Sequence, residues 1–258
     1  MDENGTAATT RSARAAAAPV TRADDAARPE RRPPAAEPMF GPPPVPRAWW
    51  RRQWMVPLAV AVVGFLALSL PRYLSGDRTR TPVQLNPGFP LHYPLLVAHV
   101  MFGSIALVGV CFQMWTWLRD HHPRVHRAIG RTYIFAGVIP TGLLALAIMP
   151  FSHGPAGNAV AAVLWLTTTV AGFRAVRQRR YAAHRRWMIY SFALTMQIIW
   201  GRVMFVVLAL IPGVDLSDPH TLTLVFDTAA WIGFVINLLA AQWWLERNVA
   251  VNIRRQPS

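Results

Sequence analysis

The chain has 258 residues, of which 53% are hydrophobic and 15% charged, and its formal net charge at pH 7 is +14. Soluble domains average about 25% charged residues, so this composition argues against an ordinary globular enzyme. All 26 basic residues are arginines, and they cluster in an N-terminal tail and between long apolar runs, which argues against nucleic-acid binding. The single cysteine, Cys111, excludes an internal disulfide framework.

The N-terminal segment, residues 1–48, is rich in Ala, Pro and Arg and holds few large apolar side chains. Such a segment cannot bury a core, so we predict a disordered tail. No apolar stretch follows its start, which argues against a secretory signal peptide. Residues 49–247 are predicted to form the membrane bundle, and residues 248–258 a second, short tail.

Six apolar runs follow the tail, and a membrane-spanning helix needs about 20 predominantly apolar residues. Backbone polar groups in lipid must be satisfied internally, so the runs are predicted to be helices of an all-α, polytopic transmembrane bundle. The predicted runs are Trp54–Leu70, Tyr93–Leu118, Thr132–Met149, Ala159–Phe173, Trp187–Ile211 and Leu222–Leu245.

Arginine placement predicts the orientation of the bundle. The N-terminal tail, the loops near residues 119–131 and 174–186 and the C-terminal segment hold 22 arginines, whereas the three opposite loops hold 3. Cytoplasmic loops carry the excess of basic residues, so both termini are predicted to be cytoplasmic. An even number of spans agrees with that placement.

The two internal arginine-rich loops resemble each other. In each, Arg is followed seven residues later by His-Arg, from Arg119 to His126 and from Arg177 to His184, and a spanning helix then begins. This spacing suggests a duplicated helical hairpin, with helices two and three related to helices four and five by an axis along the membrane normal. Chance similarity between arginine-rich loops is the alternative.

Ionisable residues within the runs are costly in lipid and tend to face the bundle interior. His99, Arg202 and Asp227 are predicted to lie at a similar depth near the non-cytoplasmic side. We therefore predict that Arg202 and Asp227 pair, with His99 nearby. The pair is interpreted either as structural or as part of a ligand or proton site, for which Gln113 and Asn237 are further candidates.

The two histidines that open the third and fifth runs, His126 and His184, are the candidate cofactor ligands. Histidines on different helices at equal depth can clamp a haem iron, and arginines can neutralise its propionates. Contact with lipid headgroups is the alternative, because arginine binds lipid phosphate. His92, His99, His153 and His220 are candidates for a second haem site. The arginines assigned to the cofactor site are Arg127, Arg131 and Arg185.

Three strings carry a resemblance to one family. They are HVMFGSIAL at residues 99–107, HRAIGRTY at residues 126–133 and AHRRWMI at residues 183–189, supported by Trp231 and by NLL at residues 237–239. Over roughly residues 92–247 the chain resembles the bacterial multi-pass membrane proteins called domain of unknown function 2306. The resemblance implies the architecture, and it implies no activity.

We predict that the protein is a membrane module that binds a cofactor or small ligand. A redox protein that uses b-type haem or quinone is one form of this prediction. A proton- or ion-coupled transporter that uses Arg202 and Asp227 is the alternative, and a non-catalytic scaffold is the third. Arginine-only, Ala- and Pro-rich composition is typical of a GC-rich bacterial genome, so the bacterial cytoplasmic membrane and its lipid are the expected surroundings. Partner proteins and the oligomeric state are left open.

Reporter fusions test the predicted orientation. A reporter inserted beside His184, or fused after residue 258, is expected to be active on the cytoplasmic side, because the arginines of these segments resist translocation. A reporter inserted beside Gly213 is expected to be active on the opposite side. Periplasmic activity beside His184 would invert every depth assigned above.

Overall fold

The computed structural model describes residues 54–81, 85–152 and 154–253, with the backbone alone for residues 248–253. Six helices within these residues are long and apolar enough to cross a membrane. This confirms the all-α bundle of six spans, and no strand occurs in the described part of the chain. We number the spans in chain order: Met55–Leu74, His92–Met114, Pro123–Phe151, Pro155–Arg177, Tyr181–Ala209 and Pro219–Arg247.

The helix bounds differ in places from the predicted runs. Span 2 ends at Met114 because Trp115 is extended (ψ 100°), and a short helix, Thr116–His121, follows. The helix of span 6 continues to Ile253, into the segment predicted as a tail. Span 1 continues through Pro71 to Leu74, four residues beyond the predicted run. The predicted disordered tail, residues 1–48, lies outside the described residues.

Prolines set the starts of three spans. Pro123, Pro155 and Pro219 each occupy the first helical position, where the missing N–H is one of the groups that have no intrahelical partner anyway. Asp218 caps span 6 by accepting hydrogen bonds from the Thr221 hydroxyl (2.7 Å) and the Thr221 backbone N–H (2.8 Å). These bonds favour the carboxylate, so the pKa of Asp218 lies below its usual value.

Consecutive spans pack side by side. In addition, span 2 contacts span 5, and span 4 contacts span 6. Span 1 packs mainly on span 2 and exposes a row of apolar side chains. We call the end with the loops after spans 1, 3 and 5 the arginine-poor end, and the end with the loops after spans 2 and 4 the arginine-rich end.

Small residues bring the spans close together, as expected where hydrocarbon on both sides removes the hydrophobic driving force. A methyl group added at Gly137 in span 3 would lie 3.0 Å from the Cα atom of Ala106 in span 2. At Gly109 it would lie 3.3 Å from the Cβ atom of Tyr133. Gly137 and Gly109 therefore allow spans 2 and 3 to pack closely against each other.

Span 3 widens into a π-helix over residues Tyr133–Val138. Pro140 follows directly; it cannot donate a backbone hydrogen bond, and its ring crowds the carbonyl one turn back. The hydrogen bonds ahead of a proline must rearrange, and a π-turn is one such arrangement. The turn places Tyr133, which is fully buried, against spans 4 and 5.

A hydroxyl cluster lies at the centre of the bundle. The Tyr133 hydroxyl is 2.7 Å from Ser191 Oγ and 2.8 Å from Thr195 Oγ1. Thr169 Oγ1 is 2.7 Å from Ser191 Oγ, and Trp165 Nε1 donates to Thr195 Oγ1 at 3.0 Å. The cluster ties span 3 to spans 4 and 5, and every hydroxyl in it has a partner, as a buried polar group requires.

The two hairpins of the predicted duplication match in length. Spans 2 and 4 each have 23 residues, and spans 3 and 5 each have 29. Tyr133 and Ser191, which are 58 positions apart like His126 and His184, meet directly in the hydroxyl cluster. Contact between equivalent residues is expected where two repeats face each other across an axis, so the geometry supports the predicted repeat.

Removing the Tyr133 hydroxyl should destabilise the bundle. We expect Tyr133→Phe to lower the free energy of unfolding in detergent by about 1 kcal/mol, since Ser191 and Thr195 each lose a buried partner. Tyr181→Phe is the matched control, because Tyr181 is 65% exposed. Equal stability of the two variants would show that the cluster contributes nothing to stability.

Candidate functional site

A partly open cavity of about 460 Å³ lies in the arginine-poor half of the bundle and is lined by residues from all six spans. Pockets that bind small molecules fall in this size range. Most of its wall is apolar, including Phe65, Leu107 and Phe226. The polar side chains that reach it are Ser69, Tyr73, His99, Ser104, Thr141, Ser152, Asn158, Thr195, Gln197 and Arg202.

Arg202 brings a positive charge to this cavity from span 5. It lies seven residues before the end of the span at Ala209, or about 10 Å along the helix. Within the described residues the ion pairs are Arg80–Asp77 and Arg119–Asp120, so no described carboxylate neutralises Arg202. The charge of Arg72 acts on Arg202 as well, which makes the surroundings more positive.

His99 faces the same cavity from span 2, seven residues after the start of the span at His92. His99 and Arg202 therefore line one cavity, each seven residues from the arginine-poor end of its span. His99 Nδ1 lies 3.0 Å from the Thr141 carbonyl oxygen. A carbonyl oxygen can only accept, so Nδ1 carries the proton and Nε2 is the free acceptor of the neutral ring.

The predicted pair of Arg202 with Asp227 does not form. Asp227 Oδ1 accepts a hydrogen bond from the Gly157 backbone N–H at 2.7 Å, and Oδ2 accepts from Trp231 Nε1 at 3.2 Å. Gly157 belongs to the first turn of span 4, whose N-cap, Gly154, has no side chain to offer. Asp227 therefore caps span 4 from span 6, where the helix dipole favours a carboxylate.

Gln113 and Asn237, the other predicted ligand-site candidates, lie away from the cavity. Gln113 donates to the His126 carbonyl oxygen at 2.9 Å and joins span 2 to span 3 at the arginine-rich end. Asn237 is buried and donates to the Ala193 carbonyl oxygen at 3.1 Å. Each amide satisfies a backbone carbonyl across a helix contact, which gives both residues a structural role.

The structure brings His126 and His184 together at the arginine-rich end, near enough for the charge on one ring to act on the other. His184 Nδ1 donates to the Gly172 carbonyl oxygen at 2.8 Å, and His126 Nδ1 is buried without a hydrogen-bond partner. Arg127, Arg131 and Arg185 are exposed around them. Their proposed cofactor role stays a prediction.

A haem between spans 3 and 5 would have to fit beside the hydroxyl cluster. Tyr133 and Ser191 are hydrogen-bonded seven residues, about 10 Å, inside His126 and His184. No group of three or more His, Cys, Asp or Glu in the described ranges could hold a metal ion.

The other histidines named for a second haem site are scattered. His92 is buried and accepts a hydrogen bond from the Asn86 backbone N–H at 3.0 Å through Nδ1. His220 is exposed, and His153 lies outside the described residues. Only His99 among the described three lines the cavity.

The family described as "Predicted membrane protein (DUF2306)" matches residues 96–245, which is more than half of the chain. The chain belongs to this family. No curated protein and no solved structure matches it. The DUF2306 segment contains His99 and Arg202, whereas span 1 and its cavity residues precede it.

Tyr73 is one of the polar cavity residues that sequence reasoning missed. The predicted first run stops before Pro71, yet span 1 continues and places Tyr73, 6% exposed, at the cavity wall. The charge of Arg202 acts on it. A proline within the last turn of a helix removes little hydrogen bonding, so Pro71 does not end the helix. The polar residues Arg72 and Tyr73 directly after it are the sequence signal that could have placed them in span 1.

The capping role of Asp227 leads to a stability prediction. We expect Asp227→Leu to lower the free energy of unfolding by about 1–2 kcal/mol, because the Gly157 N–H loses its acceptor. Asp227→Asn should cost less than half as much, since its amide oxygen can still accept from Gly157. Denaturant titration of both variants in one detergent makes the comparison, and equal losses would contradict the capping role.

Proposed function

We propose that this DUF2306 protein is a membrane module that binds a small ligand with an acidic headgroup in the cavity. The observation that carries the proposal is the guanidinium of Arg202, which lines a cavity of about 460 Å³ without a described carboxylate to pair with it. An unneutralised charge within a span is expensive, so such residues mark ligand or ion sites.

The apolar wall supports a ligand with a hydrophobic body. Most of the residues that line the cavity around Arg202 and His99 are leucine, phenylalanine, alanine and glycine. Such a pocket combines apolar area for affinity with a few polar groups that fix orientation. We therefore favour an amphiphilic ligand over a bare inorganic anion.

Binding is favoured over conduction by the position of the hydroxyl cluster. Thr195 lines the cavity, whereas Ser191 and Tyr133, deeper toward the arginine-rich end, are fully buried and hydrogen-bonded to each other. A transport path would have to open this cluster. The capping of span 4 by Asp227 removes the carboxylate that the transporter hypothesis used.

We also propose that the chain lies in a bacterial cytoplasmic membrane with both termini in the cytoplasm. The distribution of arginine between the two sets of loops supports this placement. The cavity would then be near the outer leaflet, about 10 Å from the helix ends.

Decanoate serves as the probe of the proposed site. We expect decanoate to raise the thermal unfolding midpoint of the detergent-purified protein in a saturable way. Arg202→Gln should raise the half-saturating concentration by roughly 10–100-fold, as expected for a lost charge-assisted hydrogen bond. Arg131→Gln is the matched control, because Arg131 is exposed at the other end of the bundle.

Equal decanoate responses of Arg202→Gln and Arg131→Gln would overturn the proposed site. The optical spectrum of the same purified protein separates this function from haem binding. A Soret band that disappears in His126→Ala or His184→Ala would favour the haem hypothesis instead.

A further inference from the structure

The hydrogen bond between His99 and Thr141 restricts what the cavity can bind. It holds the Nδ1 proton of the imidazole on the Thr141 carbonyl oxygen, at 3.0 Å. Nε2 has no hydrogen-bond partner among the described residues. It is also not sealed from its surroundings, so it remains accessible to a ligand. The neutral ring therefore offers the cavity an acceptor and no donor.

Arg202 offers the opposite chemistry. A guanidinium has five N–H donors and no acceptor, and it keeps its proton in proteins. A headgroup that satisfies both groups must give an oxygen acceptor to Arg202 and an O–H donor to His99 Nε2, and the acidic headgroup of the proposed function supplies that O–H. A carboxylic acid and a hydroquinone both meet this requirement, whereas an ester, a quinone or a permanently ionised anion does not.

We infer that the cavity binds a lipid-soluble weak acid whose proton is shared between its headgroup and His99 Nε2, while Arg202 holds the neighbouring oxygen. This inference rests on the proposed function and specifies its ligand class. A ligand that arrives as a carboxylate must take up one proton from solvent on binding, because the neutral His99 ring has its only N–H on the Thr141 carbonyl oxygen and has none to give.

The charges that face His99 leave this proton as the variable one. From span 5 the only charge acting on His99 is that of Arg202, which does not titrate in this range. Span 3 contributes the Thr141 carbonyl oxygen, and span 1 contributes Tyr73 to the same cavity. Span 6 contributes apolar Phe226 and Ala230, while the Asp227 carboxylate caps span 4.

The test is equilibrium binding of radiolabelled decanoate to the detergent-purified full chain between pH 7 and pH 9. We expect the dissociation constant to rise with pH, by up to tenfold per pH unit, as linkage to the uptake of one proton requires. His99→Gln should bind with a constant that changes less than twofold over the range, because its amide N–H donates directly to the carboxylate. That variant also corrects for pH-dependent partitioning of decanoate into detergent.

Two ligand pairs test the O–H without any variant. Decanoic acid is compared with methyl decanoate, and decylhydroquinone with its oxidised quinone, as competitors of labelled decanoate. In each pair we expect the O–H form to bind at least tenfold tighter. Stronger competition by decylhydroquinone, equal at pH 7 and pH 9, would support the inference and identify a phenolic ligand, since that compound brings its own proton.

The outcomes separate the two proposals. A dissociation constant for decanoate that stays flat from pH 7 to pH 9 in the unmodified chain, or an ester that binds as tightly as the acid, would overturn the shared proton. Both results leave the Arg202 site intact if Arg202→Gln still weakens binding. Binding that ignores Arg202 altogether would overturn the proposed function itself.

Discussion

The cost of an unsatisfied polar group in hydrocarbon governs this bundle, and the hydroxyl cluster is where that constraint is met most completely. The hydroxyls of Tyr133, Ser191 and Thr195 are buried away from water, so they hydrogen-bond to one another and bring spans 3 and 5 into contact. That contact fixes the depth at which the interior is closed. The cavity lies on one side of it and the histidine pair on the other.

The repeat explains why these groups meet at the centre. Residues 58 positions apart occupy equivalent places in two hairpins of equal span lengths, so those near the axis face their own counterparts. His126 and His184 are one such pair and Tyr133 and Ser191 another. Equivalence does not make the partners identical, and the pairing of a phenol with a small hydroxyl lets the helices approach without a void.

Much of the fold could be predicted because hydropathy and arginine placement act on every residue of a span. The six helices follow from those patterns, and the similar depths predicted for His99 and Arg202 agree with their place in one cavity. Whether Arg202 pairs with Asp227 could not be predicted in the same way. The depth of a residue in the membrane does not show toward which neighbouring helix its side chain points. Asp227 accepts a hydrogen bond from the first turn of span 4 instead. This contact depends on the tertiary structure, and the sequence around Asp227 or Gly157 does not reveal it.

Arg202 and Asp227 carry opposite charges at similar depth, yet the bundle treats them differently. The carboxylate accepts hydrogen bonds from a backbone N–H and an indole N–H, both of which belong to the protein itself. The guanidinium has its five donors at a cavity wall and a second arginine near it. Had the membrane cost alone been decisive, an ion pair between the two would have reduced it. A charge kept unpaired beside an apolar cavity is better accounted for by a ligand that completes it.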